Sequence, residues 1–121
     1  MNVNGMPHHH QPEDTQALLL EALPDEDTVR TVSYALSQLG DPSRLRIFWL
    51  LCHTEECVAD IARYVSMSSP AVSHHLRLLK AAGLIVSRRD RREMLYRAAD
   101  SGLVDMLHHT IEKIAEISCP A

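Results

Sequence analysis

The strongest constraint on the fold is a pair of helical patterns between residues 58 and 83. In the first, apolar residues recur at the i, i+3, i+4 and i+7 spacing of an amphipathic helix: Val58, Ile61, Ala62 and Val65. The short segment SMSS follows. Ser69 and Pro70 then supply an N-cap and a proline at the first position of a second helix, which Gly83 ends. The pattern therefore predicts two helices joined by a tight turn.

The second of these helices has two chemically different faces. Val72, Leu76 and Leu79 form an apolar stripe that predicts contact with a core. Three polar residues lie on the opposite face, with His74 between the two stripes: Ser73, Arg77 and Lys80. Two helices with a short turn between them, the second presenting serine, arginine and lysine outward, match the helix-turn-helix pattern. In that motif the second helix enters the major groove of DNA.

A cationic hairpin is predicted next in the chain. The segments LIVSRR and EMLYRAA are rich in strand-forming residues, and Asp90 and Arg91 lie between them. The stretch from His74 to Arg97 carries a net charge of +5, although the whole chain is at −4. The hairpin is therefore interpreted as a wing whose arginines reach DNA phosphates. A solvated charged hairpin would show the same local charge, so the charge alone leaves both interpretations open.

The remaining segments predict further helices around this unit. Apolar spacing indicates helices over Thr15–Leu23 and Asp25–Leu39, and Asp41 and Pro42 start another as its N-cap and first residue. The last of these should be the buried centre, because apolar residues surround it: Leu45, Ile47, Phe48, Leu50 and Leu51. The expected fold is mainly α with one small β-hairpin (α+β). Residues 1–14 are expected to be a flexible tail, and residues 15–121 the domain.

A final helix is predicted from about residue 101 to residue 118. Its apolar residues form one long stripe: Leu103, Leu107, Ile111, Ile114 and Ile117. Such a stripe would complete the core or form the seam of a homodimer. The seam is preferred, because a helix-turn-helix protein on a palindromic site needs a two-fold partner.

Composition excludes several other classes. A chain of 121 residues suits one domain, and no apolar run approaches the roughly 20 residues that span a membrane. The start of the chain, MNVNGMPHHHQPED, has no apolar signal segment, so we expect a cytoplasmic protein. Three cysteines are an odd number and favour reduced thiols. An enzyme is not expected, because there is no glycine-rich phosphate loop, and adjacent Cys52 and His53 point about 100° apart on a helix.

Three segments of the chain together resemble the ArsR/SmtB metalloregulator family: LGDPSRLRIFWLL, CVADIA and SSPAVSHHLRLLKAAGLIVSRRDRREMLYRAAD. The similarity covers roughly residues 28–118. It implies a homodimeric winged helix-turn-helix repressor. Such a repressor binds double-stranded operator DNA in its metal-free form and releases it when a metal ion or another inducer binds.

The resemblance also assigns DNA-contacting positions. The residues that match the family's recognition segment are Ser68, Ser69, Ser73, His74, His75 and Arg77. Those that match its wing are Arg88, Arg89, Arg91 and Arg92. The family often has glycine in this hairpin where the present chain has Arg91. Asp90 tolerates a left-handed conformation, so the turn is still expected to form.

Both usual metal sites of the family are incomplete here. In the cysteine-rich site, Cys57 is kept but Ala59 replaces the second cysteine. In the site on the terminal helices, Asp100 and Glu116 are kept but both histidine positions hold other residues. This chain has therefore lost parts of both patterns.

Other potential ligands are abundant near both places. We expect Cys52 and Cys57 to bind one ion together with His53 or Cys119. The terminal helix, from the same or the other subunit, adds further candidates: His108, His109 and Glu112. Thiolate and imidazole ligands suit Zn(II) or Cd(II), and soft thiolates also accept Cu(I) or As(III).

Alternatives remain for the same residues. The three cysteines could form a reversible disulfide or persulfide, which would make the protein a thiol-based redox sensor on the same fold. Cys52 could simply be a small buried apolar residue, and His108 and His109 could be part of a solvated face. Release of DNA by metal alone, under reducing conditions, would distinguish a metal sensor from a redox sensor.

Overall fold

The computed structural model describes residues 13–116. Six helices and three strands occur in this range: α1 (Glu13–Ala22), α2 (Glu26–Gln38), α3 (Pro42–Leu51), β1 (Glu56–Cys57), α4 (Val58–Val65), α5 (Ser69–Ala81), β2 (Ile85–Asp90), β3 (Glu93–Ala98) and α6 (Gly102–Ala115). No helix in this range is both long and apolar enough to cross a membrane. The predicted class, mainly α with a small antiparallel sheet, is confirmed.

The chain divides into two compact units, residues 1–31 and residues 32–121, and α2 crosses the boundary between them. In the described part of the first unit, Leu18 and Leu20 on α1 and Leu23 just after it are largely exposed. The second unit contains α3 to α6 and the sheet, and therefore all the residues discussed below as functional candidates.

The core of the second unit forms around α3. Ile47 and Phe48 are completely buried there, as predicted for this helix. The apolar stripe of α5, formed by Val72, Leu76 and Leu79, is buried as well. Because this stripe is held in the core, the opposite face of α5 is left toward solvent.

Capping residues fix where the helices begin and end. The Asp41 carboxylate accepts a hydrogen bond from the Arg44 backbone N–H at 3.0 Å, which confirms the predicted start of α3. For α5, the predicted cap at Ser69 is wrong. Ser68 is the N-cap, and its hydroxyl accepts from the Ala71 N–H at 3.3 Å. Gly83 follows α5 with a φ of 77°, the left-handed conformation that ends helices at glycine.

The sheet has the strand order β1–β3–β2, and all its pairs are antiparallel. The predicted hairpin is confirmed, with Asp90 paired to Glu93 across a two-residue turn. The left-handed residue of that turn is Arg91, with a φ of 61°, and not Asp90 as expected. Asp90 instead belongs to β2, where it pairs in register. Strand β1 was not predicted. It pairs with the middle of β3 and ties the segment after α3 to the wing.

The packed face of α6 differs from the predicted stripe. Val104 and Leu107 are buried and Ile111 is partly buried, whereas Leu103 and Ile114 are 48% and 80% exposed. The apolar residues of α6 are too widely distributed around the helix for one face to cover them. The predicted Ile117 lies outside the described residues. The helix therefore contributes to the core on one side and presents apolar residues to solvent on the other.

Candidate nucleic-acid interface and metal centre

The outward face of α5 carries polar and basic side chains. Ser69, His74, Arg77 and Lys80 are exposed, and Ser73 is half-buried. An Arg77 guanidinium nitrogen lies 3.5 Å from Nδ1 of His74, and Lys80 Nζ donates to Ser87 Oγ on β2 at 2.6 Å. This last contact joins α5 to the wing. The basic surface of α5 is therefore continuous with that of the hairpin.

His75 is placed differently from its neighbour His74. Its side chain is only 13% exposed, and its Nδ1 lies 3.3 Å from Arg44 Nη1 and 4.0 Å from Asp41 Oδ2. Burial lowers the pKa of His75, which favours the neutral imidazole. The His75 side chain of α5 therefore contacts the start of α3.

The four wing arginines are not equivalent. Arg88 donates two hydrogen bonds to the Glu55 carboxylate, at 2.9 and 2.7 Å, and this pairing raises the pKa of Arg88 and lowers the pKa of Glu55. Arg97 also approaches Glu55, at 3.9 Å. Arg89, Arg91 and Arg92 are exposed. Arg88 is exposed as well, but it differs from these three because it is paired with a carboxylate from the segment after α3.

The predicted cysteine ligands lie at two different positions. Cys52 is the C-cap of α3, and Cys57 lies in β1, paired with Leu95, where it precedes α4. No disulfide joins Cys52 to Cys57, and both are half-buried. Cys119 lies outside the described residues, so the structure does not test its part in the predicted set. His109 is exposed, and its ring stacks on that of His108.

A different set of ligand-type side chains converges between α3 and α6. Nε2 of His108 lies 3.0 Å from Nε2 of His53 and 3.0 Å from Oε2 of Glu112, and the third separation, His53 Nε2 to Glu112 Oε2, is 3.7 Å. The three side chains are between 11% and 19% exposed. Among residues 13–116, this is the group of three or more histidine, cysteine or carboxylate ligands close enough to hold one ion. It includes neither cysteine.

The chain positions these three residues through two elements. His53 follows the C-terminus of α3, and His108 and Glu112 occupy neighbouring turns of α6 at the i, i+4 spacing. The adjacent residue that sequence reasoning missed is Trp49, the single tryptophan of the chain. Its indole Nε1 donates to Glu112 Oε2 at 3.3 Å, and its ring centroid lies 4.4 Å from that of His53. The only sign in the sequence that Trp49 lies near the cluster is its position one helical turn before His53.

Comparison with known proteins agrees with this architecture. Residues 41–87 match the family described as "Bacterial regulatory protein, arsR family". A "Transcriptional repressor SmtB homolog" of Synechocystis is 34% identical over 90 residues, which cover 74% of this chain and 68% of that protein. The "Cadmium resistance transcriptional regulatory protein CadC" of Listeria innocua is 39% identical over 67 residues, or 54% of this chain and 56% of that protein.

A solved structure shows the same fold. The homodimeric winged helix-turn-helix DNA-binding domain Mb0332 of Mycobacterium bovis, a possible ArsR-family regulator, is 28% identical with a TM-score of 0.68, over 78% of this chain and 89% of that one. The resemblance found in the sequence is thereby confirmed. The chain belongs to the ArsR family of bacterial regulatory proteins, as a winged helix-turn-helix regulator and not an enzyme.

Proposed function

We propose that the protein is a homodimeric transcriptional repressor that binds operator DNA through α5 and the β2–β3 hairpin and releases it when a metal ion binds. The observation that carries the proposal is the convergence of His53, His108 and Glu112 in a winged helix-turn-helix chain. The names of its relatives, an SmtB repressor homolog and a cadmium resistance regulator, support the same role.

The DNA-binding part of the proposal rests on the exposed surface of α5 and the wing. Arg77, Arg89, Arg91 and Arg92 are exposed, in a stretch whose net charge is +5. Basic residues of this kind neutralise phosphates and release counterions, so DNA affinity should fall steeply as salt is raised. The short polar side chains of Ser69 and Ser73 at the start of α5 are suited to contact base edges or phosphates in the major groove.

The homodimer is supported by the apolar side of α6 that faces solvent. Leu103, Met106 and Ile114 are between 48% and 80% exposed on this helix. A second copy would cover them, as expected from the homodimeric state of the Mycobacterium bovis domain. Two recognition helices related by a two-fold axis would then face half-sites one helical turn apart.

Metal and DNA would be coupled through the segment between α3 and α4. This segment begins with His53, continues through Glu55, which is paired with wing Arg88, and ends in β1, which is paired with wing strand β3. A shift of His53 would therefore be transmitted to the wing through only a few residues. Linkage requires the metal to weaken DNA binding by the same factor by which DNA weakens metal binding. A coupling of roughly 3 kcal/mol would correspond to a factor near 150.

The test is an anaerobic titration of the reduced, full-length protein on fluorescent operator DNA. Zn(II), Cd(II), Cu(I) and As(III) are added separately, and DNA binding is followed by fluorescence anisotropy. We expect at least one ion to lower DNA affinity, and a chelator to restore it. If no ion changes the affinity and oxidation of the thiols releases DNA instead, the metal-sensor proposal is wrong and a thiol sensor takes its place.

A further inference from the structure

We infer that His53, His108 and Glu112 form a metal site within one subunit, and that this site takes a borderline divalent cation such as Zn(II) in preference to the soft ions that thiolates bind. The inference rests on the proposed function for its regulatory meaning. The binding of the ion itself can be measured without DNA.

Hydrogen-bonding capacity is the first argument for a cation between these three residues. Nε2 of His108 is 3.0 Å from both His53 Nε2 and Glu112 Oε2. In a neutral imidazole this nitrogen carries either one hydrogen or one lone pair, and it cannot do both. If it donates to Glu112, the His53 contact must share the same hydrogen. If it accepts from His53, its lone pair faces a carboxylate. A cation between the three atoms allows each of them to direct a lone pair at the ion, which removes the conflict.

Distances are the second argument. A tetrahedral Zn(II) with ligands at about 2.0–2.1 Å needs its ligand atoms about 3.3 Å apart. The three observed separations, 3.0, 3.0 and 3.7 Å, lie on either side of that value. Small side-chain rotations would therefore equalise them, and no backbone rearrangement is needed. Three protein ligands also leave a fourth position for water or another group.

The donor atoms determine which ions the site prefers. Two imidazole nitrogens and one carboxylate oxygen suit Zn(II), Co(II) and Ni(II), and the carboxylate charge offsets part of the charge of a divalent ion. Cu(I) and As(III) prefer thiolates, which this cluster does not contain among the described residues. The site would thus discriminate against Cu(I) and As(III), which a cysteine-based sensor accepts.

Trp49 acts as a positioning residue for this site. Its indole N–H donates to Oε2 of Glu112, the same oxygen that faces both histidines. A partner of this kind orients a ligating carboxylate, and its loss typically weakens metal binding about 10–100-fold. Because Trp49 is the only tryptophan and its ring is 4.4 Å from that of His53, its fluorescence should change when the ion arrives.

The experiment is a direct titration of metal-free, reduced, full-length protein with Zn(II), followed by Trp49 fluorescence and by calorimetry. His108→Ala should weaken Zn(II) binding by more than about 100-fold, since even an outer partner of a ligand contributes about 10–100-fold. His109→Ala is the matched control, because it removes the adjacent, exposed histidine of the same helix, and it should bind Zn(II) like the wild type. Circular dichroism checks folding, and the isosteric Glu112→Gln provides a second test if His108→Ala does not fold.

The nature of the donors is read from the absorption spectrum of the Co(II) form. We expect ligand-field bands without the charge-transfer band of a cobalt thiolate. Wild-type affinity in both His108→Ala and Glu112→Gln, or loss of binding in Cys52→Ser or Cys57→Ser, would overturn the assignment. If Zn(II) binds as described but DNA affinity is unchanged, the site stands and the proposed function is wrong. If metal releases DNA equally well from His108→Ala, the function stands and the site is wrong.

Discussion

The ion pair between Glu55 and Arg88 yields the sharpest prediction about DNA binding. Arg88 lies on the wing but donates both of its short hydrogen bonds, at 2.9 and 2.7 Å, to the carboxylate of Glu55. In this arrangement its charge is neutralised by the protein itself. Glu55→Gln removes the negative charge and retains the size of the side chain. Arg88, whose side chain is 56% exposed, then becomes available to a phosphate.

The size of the effect follows from counterion release. Each phosphate neutralised adds about −0.9 to the slope of log K against log salt on duplex DNA. A homodimer has two copies of the pair, so Glu55→Gln should steepen the slope by up to about 1.8. Between 50 and 200 mM salt, the ratio of the variant's DNA affinity to that of the wild type should therefore fall by up to about 12-fold.

The assay is fluorescence anisotropy on operator DNA at several salt concentrations without metal. Glu93→Gln is the matched control, since it removes the same charge from the exposed start of β3 and leaves the Glu55–Arg88 pair in place. It should change the overall affinity without the full change of slope. The double variant Glu55→Gln with Arg88→Ala should lose the added steepness. A slope in Glu55→Gln equal to that of the wild type would refute the reasoning.

Three further predictions concern stability. Phe48→Ala, at a completely buried position, should lower the free energy of unfolding by about 3–5 kcal/mol in urea denaturation. Arg91→Gly should be more stable than Arg92→Gly by about 1 kcal/mol, because only Arg91 has the left-handed φ of 61° that penalises side chains, and an equal stability of the two would contradict this. The backbone N–H of Arg44 lowers the pKa of Asp41, so the ionised carboxylate stabilises the fold above its ordinary pKa of 3.8, and this contribution is lost as the pH falls through the lower folded-state value. Asp41→Ala should therefore destabilise the protein at pH 7, and the difference from the wild type should shrink in denaturation curves measured below about pH 3.8.

Local signals in the sequence predicted much of the fold. Asp41 with Pro42 fixes the start of α3, and Gly83 ends α5, because capping depends on residues within one turn of the helix end. The strand β1 escaped prediction since two residues form no readable pattern, and its existence depends on a partner strand about forty positions further along the chain. The turn of the wing was predicted to form, but the residue with positive φ was misassigned. The register of the two strands, and not the preference of Asp90, determines which residue occupies that position.

The candidate metal cluster shows where local reasoning stops. His108 and Glu112 could be paired from the sequence, because i, i+4 residues share one face of a helix. His53 lies 55 positions before His108, and only the packing of α6 near the end of α3 brings them together. The preference of thiophilic ions for thiolates favoured Cys52 and Cys57 as ligands instead. Neither cysteine belongs to the cluster.

The order of the strands also has a consequence for how the protein behaves when it is not on DNA. With β3 in the centre, the sheet has two edges, the two-residue β1 and the longer β2. An exposed edge strand offers unpaired backbone groups to the edge of another molecule, and proteins commonly protect such edges with charge or by keeping them short. β1 is too short to act as a template, and β2 carries Arg88 and Arg89. Arg89, which is also proposed to contact DNA, would then have a second effect, which is to oppose edge-to-edge association of the free repressor.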